Sequence, residues 1–312
     1  MWSAQAAPDG AVTSQIVEYH RCRAAAGCGL VIVEHSFVHP SGRHTATQMG
    51  VHTDGMIDGL SRLAAAVKAE GAVVCLQISH AGSRSLSAIT GQRPMGPSPV
   101  RHPYEPDGEV PEAMAAARVQ EMVAAFGAAA GRAWKAGFDA VEIHAAHGFL
   151  LSQFLSPLTN VRDDQYGGDE DRRSRLHLEV LAEVRRALEG RLPVFVRLGA
   201  HDETPGGLEI DAATRTAARL AAAGADLIDV SGGLCGSRPS GKGPGYFVPY
   251  ARAIKGAVRV PVSVAGGITD AIQADRIVRD GHADLVGIGR AMLNDPGWAS
   301  KAIGILTKTG HE

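Results

Sequence analysis

The 312 residues carry 31 Lys and Arg against 33 Asp and Glu, and 45% of them are hydrophobic. So balanced a charge leaves no electrostatic footprint for nucleic acid or an anionic membrane, and the apolar fraction supplies a large core. Cys22, Cys28, Cys75 and Cys235 lack metal-type spacing and no apolar run reaches bilayer length, so reduced thiols in a cytoplasmic protein that meets small molecules are expected.

In chain order, short runs rich in β-branched residues alternate with helical patterns. The runs are Leu30–Val33, Val73–Ile78, Ala140–Ile143, Val194–Leu198, Leu227–Val230, Val262–Ala265 and Leu285–Ile288, each continuously apolar as in strands buried on both faces. Between them, Asp54 to Gly71 places Met56, Ile57, Leu60, Leu63, Ala64 and Val67 on one stripe with a glycine stop. Thr269 is the expected N-cap of a helix carrying Ile272, Ile277 and Val278 and ending at Gly281. Repeated strand and helix units imply a parallel sheet, and their number favours one (β/α)8 TIM barrel over residues 1–312. The runs number seven, and Met1 to Thr13 contains none, so the first strand of the barrel is expected to be missing or truncated at the N-terminus.

Polar residues punctuate the ends of these runs. Glu34, His35, Gln77, His80, His144, Arg197 and Ser231 stand at or just past them, where barrel active sites are assembled. The apolar run that stops at His144-Ala-Ala-His147-Gly148 delivers two imidazoles to the rim, and the polar loop after it is too long for a mere connector. After the last two strands come Gly266-Gly267 and Gly289-Arg290. Glycines let backbone N–H groups approach an anion and Arg290 can pair with it, so this is the expected phosphate cup. Glu142, within its strand, reads as a layer residue of the barrel interior, and Arg197 as a group that either faces an electron-rich ligand or pairs with Glu142 or Asp229.

Several ordered motifs, from about Asp9 to Trp298, carry a resemblance. Leu76-Gln77-Ile78-Ser79-His80-Ala81-Gly82, His144 to Gly148 running on through Gln153 to Pro157, Asn160-Val161-Arg162, Tyr166-Gly167-Gly168, Val196-Arg197-Leu198 and Gly289 to Pro296 together resemble the old yellow enzyme family of FMN-dependent ene-reductases and NAD(P)H:flavin oxidoreductases. The resemblance implies FMN as cofactor and NADH or NADPH as reductant. It assigns Gln77 to the pyrimidine edge of the flavin, Arg197 to its N1/C2 carbonyl, and Gly266, Gly267, Gly289 and Arg290 to the phosphate. His144 and His147 would hold the carbonyl of an electron-poor alkene, and His35 would lie against the flavin edge where the family usually has a small residue.

Where the family usually places a proton-donating tyrosine, two residues after the second histidine, this sequence has Phe149, which has no proton to give. Trp2 and Tyr246 are the nearest expected alternatives by loop position, and with Phe149 they complete the expected substrate wall. Three other readings stay open: an oxidoreductase whose acceptor is a quinone, a truncated barrel that binds flavin without turnover, and a metal-dependent barrel hydrolase using His80, His144, His147 and a carboxylate. No metal is expected on the main reading, and assembly into homo-oligomers is left open.

Overall fold

Continuous apolar strands separated by one-sided helices can satisfy both faces only as a parallel sheet covered by those helices, and the computed structural model, which describes residues 3–309, has that form. The strands are β1 (Leu30–Phe37), β2 (Val73–Ser79), the short β3 (Met95–Gly96) and β4 (Glu112–Ala113), β5 (Ala140–Ala145), β6 (Val194–Gly199), β7 (Leu227–Ser231), β8 (Val262–Ala265) and β9 (Leu285–Gly287). The helices are α1 (Ser14–Ala25), α2 (Ile57–Ala69), α3 (Ser87–Thr90), α4 (Ala116–Lys135), α5 (Leu150–Leu155), α6 (Glu170–Leu188), α7 (Ile210–Ala222), α8 (Val248–Lys255), α9 (Ala271–Arg279), α10 (Arg290–Asn294) and α11 (Trp298–Thr309).

Seven strands form one curled parallel sheet in the order β1-β2-β5-β6-β7-β8-β9, while β3 and β4 pair with each other in the long loop after β2. The seven are those read from the sequence. Among the described residues no strand stands between β9 and β1 to close the sheet. Burial along β6 shows the two faces. Val194, Val196 and Leu198 are buried under helices, whereas Phe195 and Arg197 turn inward and keep some access. Every residue of β5 is buried, but Leu285 of β9 is exposed.

Local chemistry fixes the helix ends. Asp169 caps α6 by accepting from the Arg172 N–H, with Glu170 and Asp171 at the favourable end of the dipole and Arg185 and Arg186 at the other. For α9 the cap is Asp270, which accepts from the Gln273 N–H; the expected Thr269 lies one residue too early. The strands also run further than their apolar cores suggested. β1 continues through Glu34 and His35 to Phe37, and β5 through His144 to Ala145, so these polar residues belong to the strands themselves. No described helix is long and apolar enough to cross a membrane, and all four cysteines are unpaired.

Candidate active site

The C-terminal end of β5 presents the two histidines. His144 is 2% exposed, and its Nδ1 accepts the Ala146 N–H at 3.3 Å. In a neutral ring that leaves Nε2 as the protonated nitrogen. His147 sits at φ 58°, a left-handed conformation that costs a non-glycine residue on the order of 1–3 kcal/mol. It is held there from both sides, its N–H donating to Gly232 O at 2.9 Å and its carbonyl accepting from Arg84 Nη1 at 2.7 Å. The two rings are 5.0 Å apart and nearly perpendicular, at 86°. His147 Nε2 lies 2.7 Å from Ser231 Oγ, to which Arg197 Nη2 donates at 3.4 Å. Ser231 Oγ has no other acceptor among the described residues, so its hydroxyl proton goes to Nε2 and the proton of His147 resides on Nδ1. Burial, followed by each ring's cationic and imidazole neighbours, holds both histidines well below the usual imidazole pKa. Both are therefore neutral hydrogen-bond donors at physiological pH.

Phe149, 4% exposed, packs at the centre of this wall, with ring centroids 5.0 Å from His144, 5.2 Å from His35 and 5.3 Å from His44. Arg84 covers the same ring at 5.5 Å and donates to Glu105. His35 Nδ1 and its carbonyl are both within hydrogen-bond reach of Gln48 Nε2, at 2.8 and 3.1 Å. Below the wall, the buried Gln153 side chain joins the loops after β2 and β5 by accepting from Ser83 N and donating to Ala81 O and Gly148 O. His80 is structural in the same way. Its Nε2 is 3.0 Å from Ser41 Oγ and its Nδ1 accepts the Gly82 N–H at 3.0 Å. Both nitrogens are spent, so it does not join His144 and His147 as a third metal ligand, and among the described residues no metal-holding cluster of His, Cys, Asp and Glu forms.

Deeper in the sheet, Gln77 of β2 is in register with Glu142 of β5 and donates to its carboxyl. Arg197 of β6 is in register with Asp229 of β7, and Nη1 lies 3.0 Å from Asp229 Oδ2. Of the two pairings expected for Arg197, the structure thus forms the one with Asp229. The Arg197 Nε–H remains buried without a partner.

On the far side, β8 pairs with β9 through Ala265 and Gly287, which brings Gly266-Gly267 and Gly289-Arg290 side by side. A Cβ on Gly266 or Gly267 would come within 2.8 Å of the Tyr246 ring, so only glycine admits this approach. Tyr246 donates to Ser237 O at 2.7 Å and accepts from the Arg290 guanidinium. Its contacts are therefore with the cup, not with the histidine wall.

His35, His144, His147 and Phe149 are brought together, Gln77 and Arg197 lie on the strands flanking β5, and the glycines and Arg290 form the cup with Tyr246. Trp2 lies outside the described residues. The sequence reading missed Arg84, which anchors His147 across the fold, and Asp202, a buried carboxylate accepting from Ser156, Leu208 and Leu234. An arginine in a loop of glycines and serines carries no local signal of such a role. The donor set suits a flavin mononucleotide: an amide and a guanidinium with an unspent buried N–H at the inner end, and glycine turns with an arginine at the other.

The profile of the NADH:flavin oxidoreductase / NADH oxidase family matches residues 1–308. An NADPH dehydrogenase of Geobacillus sp. strain WCH70 is 38% identical over 299 residues, covering 95% of this chain and 86% of the relative. Among solved structures, an old yellow enzyme homologue from Zymomonas mobilis superposes with a TM-score of 0.81 at 25% identity, covering 94% of this chain and 83% of its own. A 2-naphthoyl-CoA reductase in complex with 2-naphthoyl-CoA gives a TM-score of 0.89 at 27% identity; it covers 95% of this chain, which spans 47% of that longer protein.

Proposed function

The chain belongs to the NADH:flavin oxidoreductase / NADH oxidase family, the old yellow enzyme family that its motifs resemble, and from that premise we propose that it is an FMN-dependent NAD(P)H oxidoreductase reducing electron-poor alkenes. When bound, FMN would supply the hydride relay from NADH or NADPH to the acceptor. Gln77 and Arg197 hold its pyrimidine edge, and Gly266, Gly267, Gly289 and Arg290 its phosphate. His144 and His147 hold the acceptor's carbonyl oxygen. The observation that carries this reading is the pair of neutral imidazoles 5.0 Å apart, each with one ring nitrogen spent within the protein and the other without a partner among the described residues. Fixed donors aimed at one oxygen draw charge from the conjugated alkene as hydride reaches its β-carbon. The seven strands are read as a (β/α)8 barrel whose first strand would stand between β9 and β1.

Phe149 favours a second reading, in which the acceptor is a quinone. Reducing an alkene requires a proton at the α-carbon, whereas a quinone takes its protons on oxygen from water, and the ring at this position offers none. Anaerobic reoxidation of the NADPH-reduced protein by cyclohexenone and by a benzoquinone, in wild type and Phe149→Tyr, separates the two. The alkene reading expects cyclohexenone to reoxidise wild type slowly and Phe149→Tyr faster by on the order of 10²-fold, with quinone rates unchanged. Reoxidation of both proteins by the quinone alone would replace it with the second reading.

A further inference from the structure

Among the described residues, the interior beneath the rim holds more carboxyl groups than its single guanidinium can neutralise. Glu142 is fully buried, accepts from Gln77 Nε2 on one oxygen and leaves Oε1 without a partner. Asp229, 2% exposed, gives Oδ2 to Arg197 and leaves Oδ1 unpartnered. The unspent Arg197 Nε lies between them in strand order, so β5, β6 and β7 each contribute one unsatisfied buried polar atom. Asp229 has the cation at ion-pair distance, while Glu142 has only a neutral amide. Among the described residues, the titratable groups facing Glu142 are Cys75 from β2, whose thiol burial pushes far up, Arg197 from β6 and Asp229 from β7.

We infer that Glu142 is, at neutral pH, a neutral carboxylic acid that positions Gln77, and that on the alkaline side of its ionisation it is the interior group that takes up a proton when electrons arrive at the flavin edge. A second buried carboxylate beside Asp229 would be costly without a second cation, and a retained proton removes that cost. Burial first, then the negative charge of Asp229, raise its ionisation to about 8 against the opposing pull of Arg197 and Gln77. Below that pH the acid already holds its proton. Above it, reduction of bound FMN would leave negative charge at the edge that Gln77 and Arg197 would hold, and Glu142 would take up one proton from solvent to offset it. The protonation state stands on the chain alone; the redox consequence rests on the FMN reading.

Infrared difference spectra of the cofactor-free protein, taken acid and alkaline of this ionisation, read the acid directly. Wild type is expected to show a protonated-carboxyl carbonyl band that is lost on the alkaline side. Glu142→Gln, whose amide oxygen still accepts from Gln77, is expected to lack it, and Glu142→Asp to shift it. A band that persists unchanged in both variants, which the buried Asp202 or Glu34 could produce, would overturn the proposal, as would its absence from wild type. In FMN-loaded protein, the midpoint potential is expected to fall more steeply with alkaline pH in wild type than in Glu142→Gln. Equal slopes would remove the redox role. If neither protein binds FMN, the cofactor reading fails while the infrared result still decides Glu142.

Discussion

The two ends of the proposed cofactor site are built differently. At β5 every strand residue is buried, His147 is pinned at both its N–H and its carbonyl, and Gln153 ties two loops beneath it. At β8 and β9 burial falls off toward the sheet edge: Val262, Ser263 and Val264 are buried, no residue of β9 is, Leu285 is exposed, and the cup is lined by glycines on which a single tyrosine lies. The first end presents fixed donors whose geometry is set before any ligand arrives, as stabilisation of developing charge requires. The second offers backbone and one guanidinium, held by the Tyr246 hydroxyl, which suits holding a phosphate more than doing chemistry.

The difference predicts where substitutions bite. His144→Ala removes a fixed donor and should lower kcat by about 10²–10³-fold with flavin content unchanged; equal loss of flavin would show that the two ends are not separate. Arg290→Ala should weaken FMN binding on the order of 10- to 100-fold, by flavin fluorescence titration, with the turnover of saturated protein retained. Tyr246→Phe leaves Arg290 in place and removes only hydrogen bonds within the protein, one to Arg290 and one to Ser237, so it should cost only a few-fold in FMN affinity. An effect as large as that of Arg290→Ala would make Tyr246 a principal ligand of the cup.

Two pH predictions follow the same division. Burial first, then neighbouring charges, keep His144 and His147 neutral, so acceptor affinity should stay level as pH falls through the usual imidazole value of 6.5; a break there would show that an imidazolium binds the acceptor. Away from the site, His177 is buried in α6 with neither ring nitrogen partnered, and burial lowers its pKa from 6.5 to about 4. Between those values the unfolded chain binds more protons than the folded one, so stability is present above the window and lost as pH falls through it. His177→Leu should therefore move acid unfolding to lower pH, and an unmoved or higher midpoint would contradict the assignment.

The strands were legible because fully buried parallel strands are continuously apolar, and the His144 and His147 rim because such a run ends there. Convergence was not legible. His35, His44 and Phe149 meet from separate segments, and Arg84 reaches His147 across 63 residues of chain. Thr269 and Asp270 are both capping residues, and only the helix phase decides that Asp270 accepts from Gln273. Tyr246 stood by loop position with the substrate wall, yet its loop folds onto the glycines of β8, where the missing Cβ atoms make room for a ring. Glu142 looked like filler because a carboxyl's partners across strands cannot be read from its own segment.

The most direct test of the account is the visible absorption spectrum of the purified protein during anaerobic titration with FMN and then NADPH. A flavin band that saturates at stoichiometric FMN, with loss of free-flavin fluorescence, and bleaches on NADPH is the predicted result. A protein that binds no FMN, or whose bound flavin NADPH and NADH both fail to bleach, would contradict it.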